Sequence, residues 1–142
     1  MISRTILKGW KILVVDDEPD SLEVAQTLLA FYGAEVKTAA NGQEALDLLL
    51  TFHPRFILSD ISMPVMDGWQ LVYTVKNEPR TKDIPMIALT AHAMVGDRER
   101  VMRAGYHNYL TKPLAPMTFI QDLLKLLIDL PSFVDELQGV IL

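Results

Sequence analysis

Five times along the chain a short strand-like run gives way to a stretch whose apolar residues recur at helical spacing. Lys11-Ile12-Leu13-Val14-Val15 is the first such run, and it stops abruptly at Asp16-Asp17. It reads as a buried strand that delivers carboxylates at its C-terminal end. Pro19 suits the first turn of the helix that follows, where Leu22, Ala25, Leu28, Leu29 and Tyr32 form an apolar stripe and Gly33 marks the stop.

The same alternation continues. Residues 34–39 predict a strand. Asn41-Gly42 opens a helix with Ala45, Leu46, Leu48 and Leu49 inward, ended by His53-Pro54. Residues 55–59 predict the third strand and 67–77 the third helix, 85–89 the fourth strand and 95–104 the fourth helix, stopped by Gly105. The last pair is a strand over 106–110 and a helix over 116–130, with Leu123, Leu124, Leu127 and Ile128 on its apolar face.

Strands alternating with helices argue for a parallel sheet covered on both faces and joined by right-handed crossovers, an α/β class. No residue-level repeat or Gly/Ser linker marks off a second domain. Residues 1–10 are expected to be an N-terminal extension and 131–142 a tail. For the apolar tail end, Val140-Ile141-Leu142, packing back on the domain, disorder and docking a partner all stay open.

Composition narrows the function. At 142 residues the chain can bury one substantial core, and its 50% apolar, 22% charged make-up is that of a folded soluble protein. The net charge of -5, with no Lys/Arg stripe, speaks against direct nucleic-acid contact. Without cysteine there are no disulfides, thiol chemistry or cysteine-ligated zinc. No signal peptide or membrane-spanning run is visible, so a cytoplasmic location and no membrane association are expected.

In an open parallel sheet, ligands bind in the crevice at the carboxyl ends of the strands. Asp16 and Asp17 follow the first predicted strand, Asp60 the third, Thr90 the fourth and Lys112 the fifth. Three carboxylates brought together repel one another, and a hard divalent cation with oxygen ligands neutralises them; Mg²⁺ is the expected ion. A carboxylate beside such a cation and a lysine is suited to accept a phosphoryl group. Taken singly these residues have plainer readings. An Asp-Asp pair caps helices, Asp60 suits an Asx-turn, and Thr90, Lys112 and Tyr109 are ordinary cap, surface and strand residues. His53, His92 and His107 lack metal-ligand spacing and read as surface or loop positions.

The joint pattern is more specific. Val14-Val15-Asp16-Asp17-Glu18-Pro19, Asp60-Ile61-Ser62-Met63-Pro64-Val65-Met66-Asp67-Gly68, Thr90-Ala91 and Lys112-Pro113 occur in the order found in response-regulator receiver domains, which the chain resembles over residues 11–130. The resemblance implies a flavodoxin-like (βα)5 doubly wound parallel sheet with strand order 2-1-3-4-5. It implies phosphorylation at Asp60 and Mg²⁺ held by Asp17 and Asp60, by Asp16 through water and by the backbone carbonyl of Ser62. It implies phosphate binding and switching through Thr90, Ala91, Lys112 and Tyr109, and a cis bond before Pro113. Ser62 and His92 fall where the family tunes dephosphorylation.

The function so implied is that of a two-component phosphorelay response regulator, a signalling domain and not a classical enzyme. The expected donors are a sensor histidine kinase or a histidine phosphotransfer protein, and the expected output is altered binding of a separate protein through the face of helices four and five, with dimerisation left open. Helix-face residues such as Arg98, Arg100 and Arg103 are candidate contact residues. Two other classes compete: a metal-dependent phosphatase with an aspartyl-phosphate intermediate, and a phosphorylation-independent module of the same fold. Ser62 stands where such a phosphatase carries its second acid-base carboxylate, and the presence of every expected site residue weighs against the module.

Overall fold

A computed structural model describes residues 2–91, 97–131, 133 and 137. Its elements are β1 (Lys11–Val15), α1 (Pro19–Phe31), β2 (Glu35–Ala39), α2 (Gly42–Leu49), β3 (Phe56–Asp60), α3 (Gly68–Lys76), β4 (Met86–Thr90), α4 (Asp97–Ala104), β5 (Asn108–Thr111) and α5 (Phe119–Leu127). The strands form one parallel sheet in the order β2-β1-β3-β4-β5. This is the flavodoxin-like order, with strand order reversing between β1 and β3.

Alternate residues of the sheet enter two cores, which explains the unbroken apolar runs: a strand covered on both faces has no polar side. Ile12, Val14, Phe56, Leu58, Ile87 and Leu89 pack with Ala25 and Leu29 of α1 and Leu123, Leu124 and Leu127 of α5. Leu13, Val15, Ile57, Met86 and Ala88 pack with α2, α3 and Val101 of α4. The edge strand β2 alternates exposed and less exposed residues, as one covered face requires.

Helix starts follow local chemistry. Asn41 caps α2 by accepting from the Glu44 amide, and Asp67 and Gln70 form a reciprocal capping box on α3. Gly105, at φ 121, ends α4 and lets the Tyr106 amide reach back to the Val101 carbonyl at 3.3 Å.

Several boundaries differ from expectation. Asp60 and Thr90 are the last residues of β3 and β4 and do not follow them, because their ladder partners Leu89 and Thr111 prolong the pairing. The fifth strand starts at Asn108, not Tyr106, since Tyr106 closes the α4 stop. Helix α5 begins at Phe119 after a turn over 115–118, closed by the Thr118 and Phe119 amides on the Ala115 carbonyl. The expected α4 start at Val95 lies outside the described residues, as does His92.

The flanks join the first core. Leu7 and Trp10, before β1, are buried with Phe133 and Leu137. Trp10 and Phe133 stack with ring centroids 5.1 Å apart, and the Arg55 guanidinium lies over both rings. This cluster closes the end of the sheet opposite the strand C-termini.

Candidate functional site

At the carboxyl ends of the strands, Asp16, Asp60 and Lys112 meet although they come from three separate segments. Lys112 Nζ lies 2.8 Å from Asp16 Oδ2, 2.8 Å from Glu18 Oε1 and 3.2 Å from Asp60 Oδ2. Asp16 and Asp60 are buried at 1% and 6% exposure, so their charges are partly stripped of water, while Asp17 is open to it. Carboxylate oxygens of Asp16, Asp17 and Asp60 all lie within 4.8 Å of one another.

The electrostatics follow from this crowding. Burial, reinforced by the charge of Asp16, raises the Asp60 pKa to about 6 against the opposing pull of Lys112 and of the Ile61 amide, which donates to Asp60 Oδ1 at 2.8 Å. Burial also works against the charge on Lys112, but the carboxylates of Asp16 and Glu18 in contact with it, and the field of Asp60, outweigh that and hold its pKa above the ordinary value. Glu18 gains from the same pair: the hydrogen bond from Lys112, then its charge, lowers the Glu18 pKa. This engagement accompanies the absence of a side-chain cap on α1 at Glu18.

The donor set fits a hard cation. Asp16 Oδ2 is buried and makes no directed hydrogen bond, its contact with Lys112 being ionic. Its other oxygen accepts from the Glu18 amide at 2.9 Å. A divalent ion among three carboxylates offsets the lost hydration and the charge of Asp16 that together raise the Asp60 pKa, and oxygen-only donors are those Mg²⁺ prefers.

A cavity of about 440 Å³ opens above Asp60, lined among others by Asp17, Ser62, Thr90, Ala91 and Lys112. The structure thus brings the metal, acceptor and phosphate-binding candidates together in one crevice. Tyr109 stands apart: it is half-buried in β5 and lines a separate groove with Arg98 and Lys125. The Lys112–Pro113 peptide is cis. His53 is exposed, and His107 donates from Nε2 to the Leu126 carbonyl at 3.0 Å, far from any metal role.

Three features of the site were not foreseen. Glu18 shares Lys112. Tyr106 is buried, with its hydroxyl donating to the Gly68 carbonyl at 2.7 Å. Trp69 and Arg100 line the cavity together. Gly68 itself tolerates no side chain, since a Cβ there would stand 2.5 Å from the Asp60 carbonyl oxygen and 2.8 Å from the Tyr106 hydroxyl. Asp67-Gly68 stands out in the sequence as the end of the family motif, but the motif does not reveal the close approach that Gly68 permits.

Residues 12–124 match the family model described as the response regulator receiver domain. An uncharacterized 14.6 kDa protein from Leptolyngbya boryana is 43% identical over 115 residues, covering 81% of this chain and 88% of its own. The chemotaxis response regulator CheY4 of Vibrio cholerae superposes with a TM-score of 0.77 at 32% identity, covering 82% of this chain and 98% of its own. The receiver domain of the sensor histidine kinase PA1611 from Pseudomonas aeruginosa, solved with a magnesium ion coordinated in the active-site cleft, gives a TM-score of 0.73 at 32% identity, covering 82% and 96%. Some other relatives are far longer chains: the match spans 13% of the sensor histidine kinase GacS of Pseudomonas protegens. Among the described residues no helix is long and apolar enough to cross a membrane.

Proposed function

The chain belongs to the response regulator receiver family of two-component signalling, and we propose that within it Asp60 is the phosphoacceptor, loaded from a phosphohistidine of a sensor histidine kinase or histidine phosphotransfer protein. The observation that carries this reading is the meeting of Lys112 with Asp16 and Asp60 beside a third carboxylate, at the mouth of an open cavity.

In the transfer, an Asp60 carboxylate oxygen bonds to phosphorus, the bond from phosphorus to the donor's nitrogen breaks, and the imidazole leaves with the electron pair. Charge spreads over the three equatorial oxygens, and catalysis consists of positioning and electrostatic stabilisation. Lys112 supplies a fixed cation for one oxygen, while the Thr90 hydroxyl and the backbone at Ala91 are suited to bond others. Asp17 and Asp60, Asp16 through water, and the Ser62 carbonyl would hold Mg²⁺, as the magnesium-bound relative and the donor set support. Bound there, Mg²⁺ supplies charge neutralisation and orientation of phosphoryl oxygens.

Phosphorylation adds a compact negative group in a buried crevice, and a two-state protein responds by shifting its populations. In this reading Thr90 turns toward the phosphoryl group and Tyr109 repacks, altering the α4–β5–α5 surface that a separate output protein, or a second copy of the chain, recognises. Slow hydrolysis in the same site resets the switch. Residues 11–130 are the signalling unit, flanked by 1–10 and 131–142. The domain is a signalling element whose only chemistry is its own loading and unloading, and a cytoplasmic site of action fits its donor.

The test is intact mass after incubation with acetyl phosphate, with and without Mg²⁺. One Mg²⁺-dependent phosphoryl adduct on wild type and none on Asp60→Asn is expected. An unmodified wild type, beside a control receiver that reacts, overturns the reading.

A further inference from the structure

The acceptor cavity has a second cationic wall. Among the described residues lining it, only Lys112 and Arg100 carry positive charge, against the carboxylates of Asp17, Glu18 and Asp60, with Asp16 directly beneath. Lys112 is already engaged by three of these carboxylates. Even with a divalent cation bound, the formal charge of four carboxylates, Lys112 and the ion together remains negative. An incoming phosphodonor is itself an anion and is repelled by such a floor.

Arg100 is placed to offset this. Its guanidinium lies 4.4 Å from the centroid of the Trp69 ring. Trp69 is half-buried and stands edge-on to the buried Tyr106 ring at 6.5 Å. Tyr106 is anchored in turn by its hydrogen bond to Gly68. An exposed arginine on a long side chain ordinarily samples many rotamers, but stacking on a fixed indole restrains it and leaves its N–H groups free to meet an anion. The aromatic pair therefore holds a cation at the cavity wall contributed by α3 and α4.

Building on the acceptor reading of Asp60, we propose that Arg100, held on Trp69, is a donor-docking cation that raises the affinity of the site for dianionic phosphodonors. It draws the donor in and orients its negative oxygens. It does not act on the bond from phosphorus to the leaving group, so its effect falls on KM and not on kcat. The long-range part of the attraction weakens with salt, since the wall is open to solvent.

The experiment measures phosphorylation rate against donor concentration in Mg²⁺ for wild type, Arg100→Ala and Arg100→Lys, using dianionic acetyl phosphate and monoanionic phosphoramidate. Arg100→Ala is expected to raise KM for acetyl phosphate about three- to tenfold at low ionic strength, with kcat nearly unchanged. The increase is smaller for phosphoramidate, Arg100→Lys recovers part of the loss, and high salt narrows the gap. An unchanged KM in Arg100→Ala, or a loss confined to kcat, overturns the docking role while leaving Asp60 as acceptor. A wild type that takes up no phosphoryl group overturns the acceptor reading and this inference with it.

Discussion

Lys112 Nζ and Asp60 Oδ2 lie 3.2 Å apart across 52 residues of sequence, and neither side chain is more than 9% exposed. Lys112 is the cation this poorly hydrated carboxylate faces, and removing it leaves the Asp60 charge buried without compensation.

Lys112→Ala is therefore expected to damage two properties together. It removes the cation that faces a transferring phosphoryl group, and loss of one such preorganised charge lowers the phosphorylation rate by about 100-fold or more. It also leaves Asp16 and Asp60 as uncompensated neighbours. Stopped-flow phosphorylation and urea melts on the same preparation separate the two effects. Lys112→Arg is expected to keep more of the stability than of the rate, since the larger planar head does not reproduce the ammonium geometry.

The crowded carboxylates predict a metal-dependent stability. A cation that binds the folded site and not the unfolded chain stabilises by mass action, about 2.7 kcal/mol at a hundredfold excess over Kd. A thermal melt in rising Mg²⁺ is expected to move upward for wild type and to stay flat for Asp17→Asn, which removes the one member of the triad that is open to solvent. A wild-type melt indifferent to millimolar Mg²⁺ contradicts the site.

Val65 carries a strained backbone. Its φ of 68 is the only positive value at a non-glycine position among the described residues, and it belongs to a β-branched residue that is 81% exposed. The left-handed conformation costs about 1–2 kcal/mol for an L-residue, and the exposed side chain gains little packing in return. Val65→Asn, which tolerates that region, is expected to raise stability by about 1 kcal/mol, read as a higher midpoint in chemical denaturation with an unchanged slope.

Phe133 stacks on Trp10 and is 1% exposed. Phe133→Ala is expected to destabilise by about 3–5 kcal/mol, as for other buried aromatic residues. Because the cluster caps the end of the sheet remote from Asp60, phosphorylation at a temperature where the variant stays folded is expected to proceed at the wild-type rate.

Much of this architecture was legible in the residues. Parallel strands covered on both faces leave unbroken runs such as Ile12 to Val15 and Phe56 to Leu58, and Gly33 and Gly105 mark helix stops by their positive φ. The meeting of Asp16, Asp60 and Lys112 was legible only jointly, since each residue alone has a commonplace role. What escaped depends on approach in three dimensions. The Tyr106 hydroxyl finds its acceptor 38 residues away, and Lys112 finds Glu18 across 94. Tyr106 in particular was absorbed into a strand, because an aromatic residue after a glycine stop looks the same whether it enters a sheet or turns inward. Trp10 and Phe133 likewise read as flank and tail until the fold brings their rings together.

A phosphoryl group on Asp60 is an acyl phosphate, and chemical trapping locates the residue that carries it. Wild type treated with acetyl phosphate and Mg²⁺ is reduced with borohydride, which converts an acyl phosphate to the alcohol, then digested and mapped by mass. Homoserine in place of Asp60, dependent on both donor and Mg²⁺, is the expected result. Reduction at Asp16 or Asp17, or an unmodified Asp60 in peptide 56–76 from a folded protein, would contradict it.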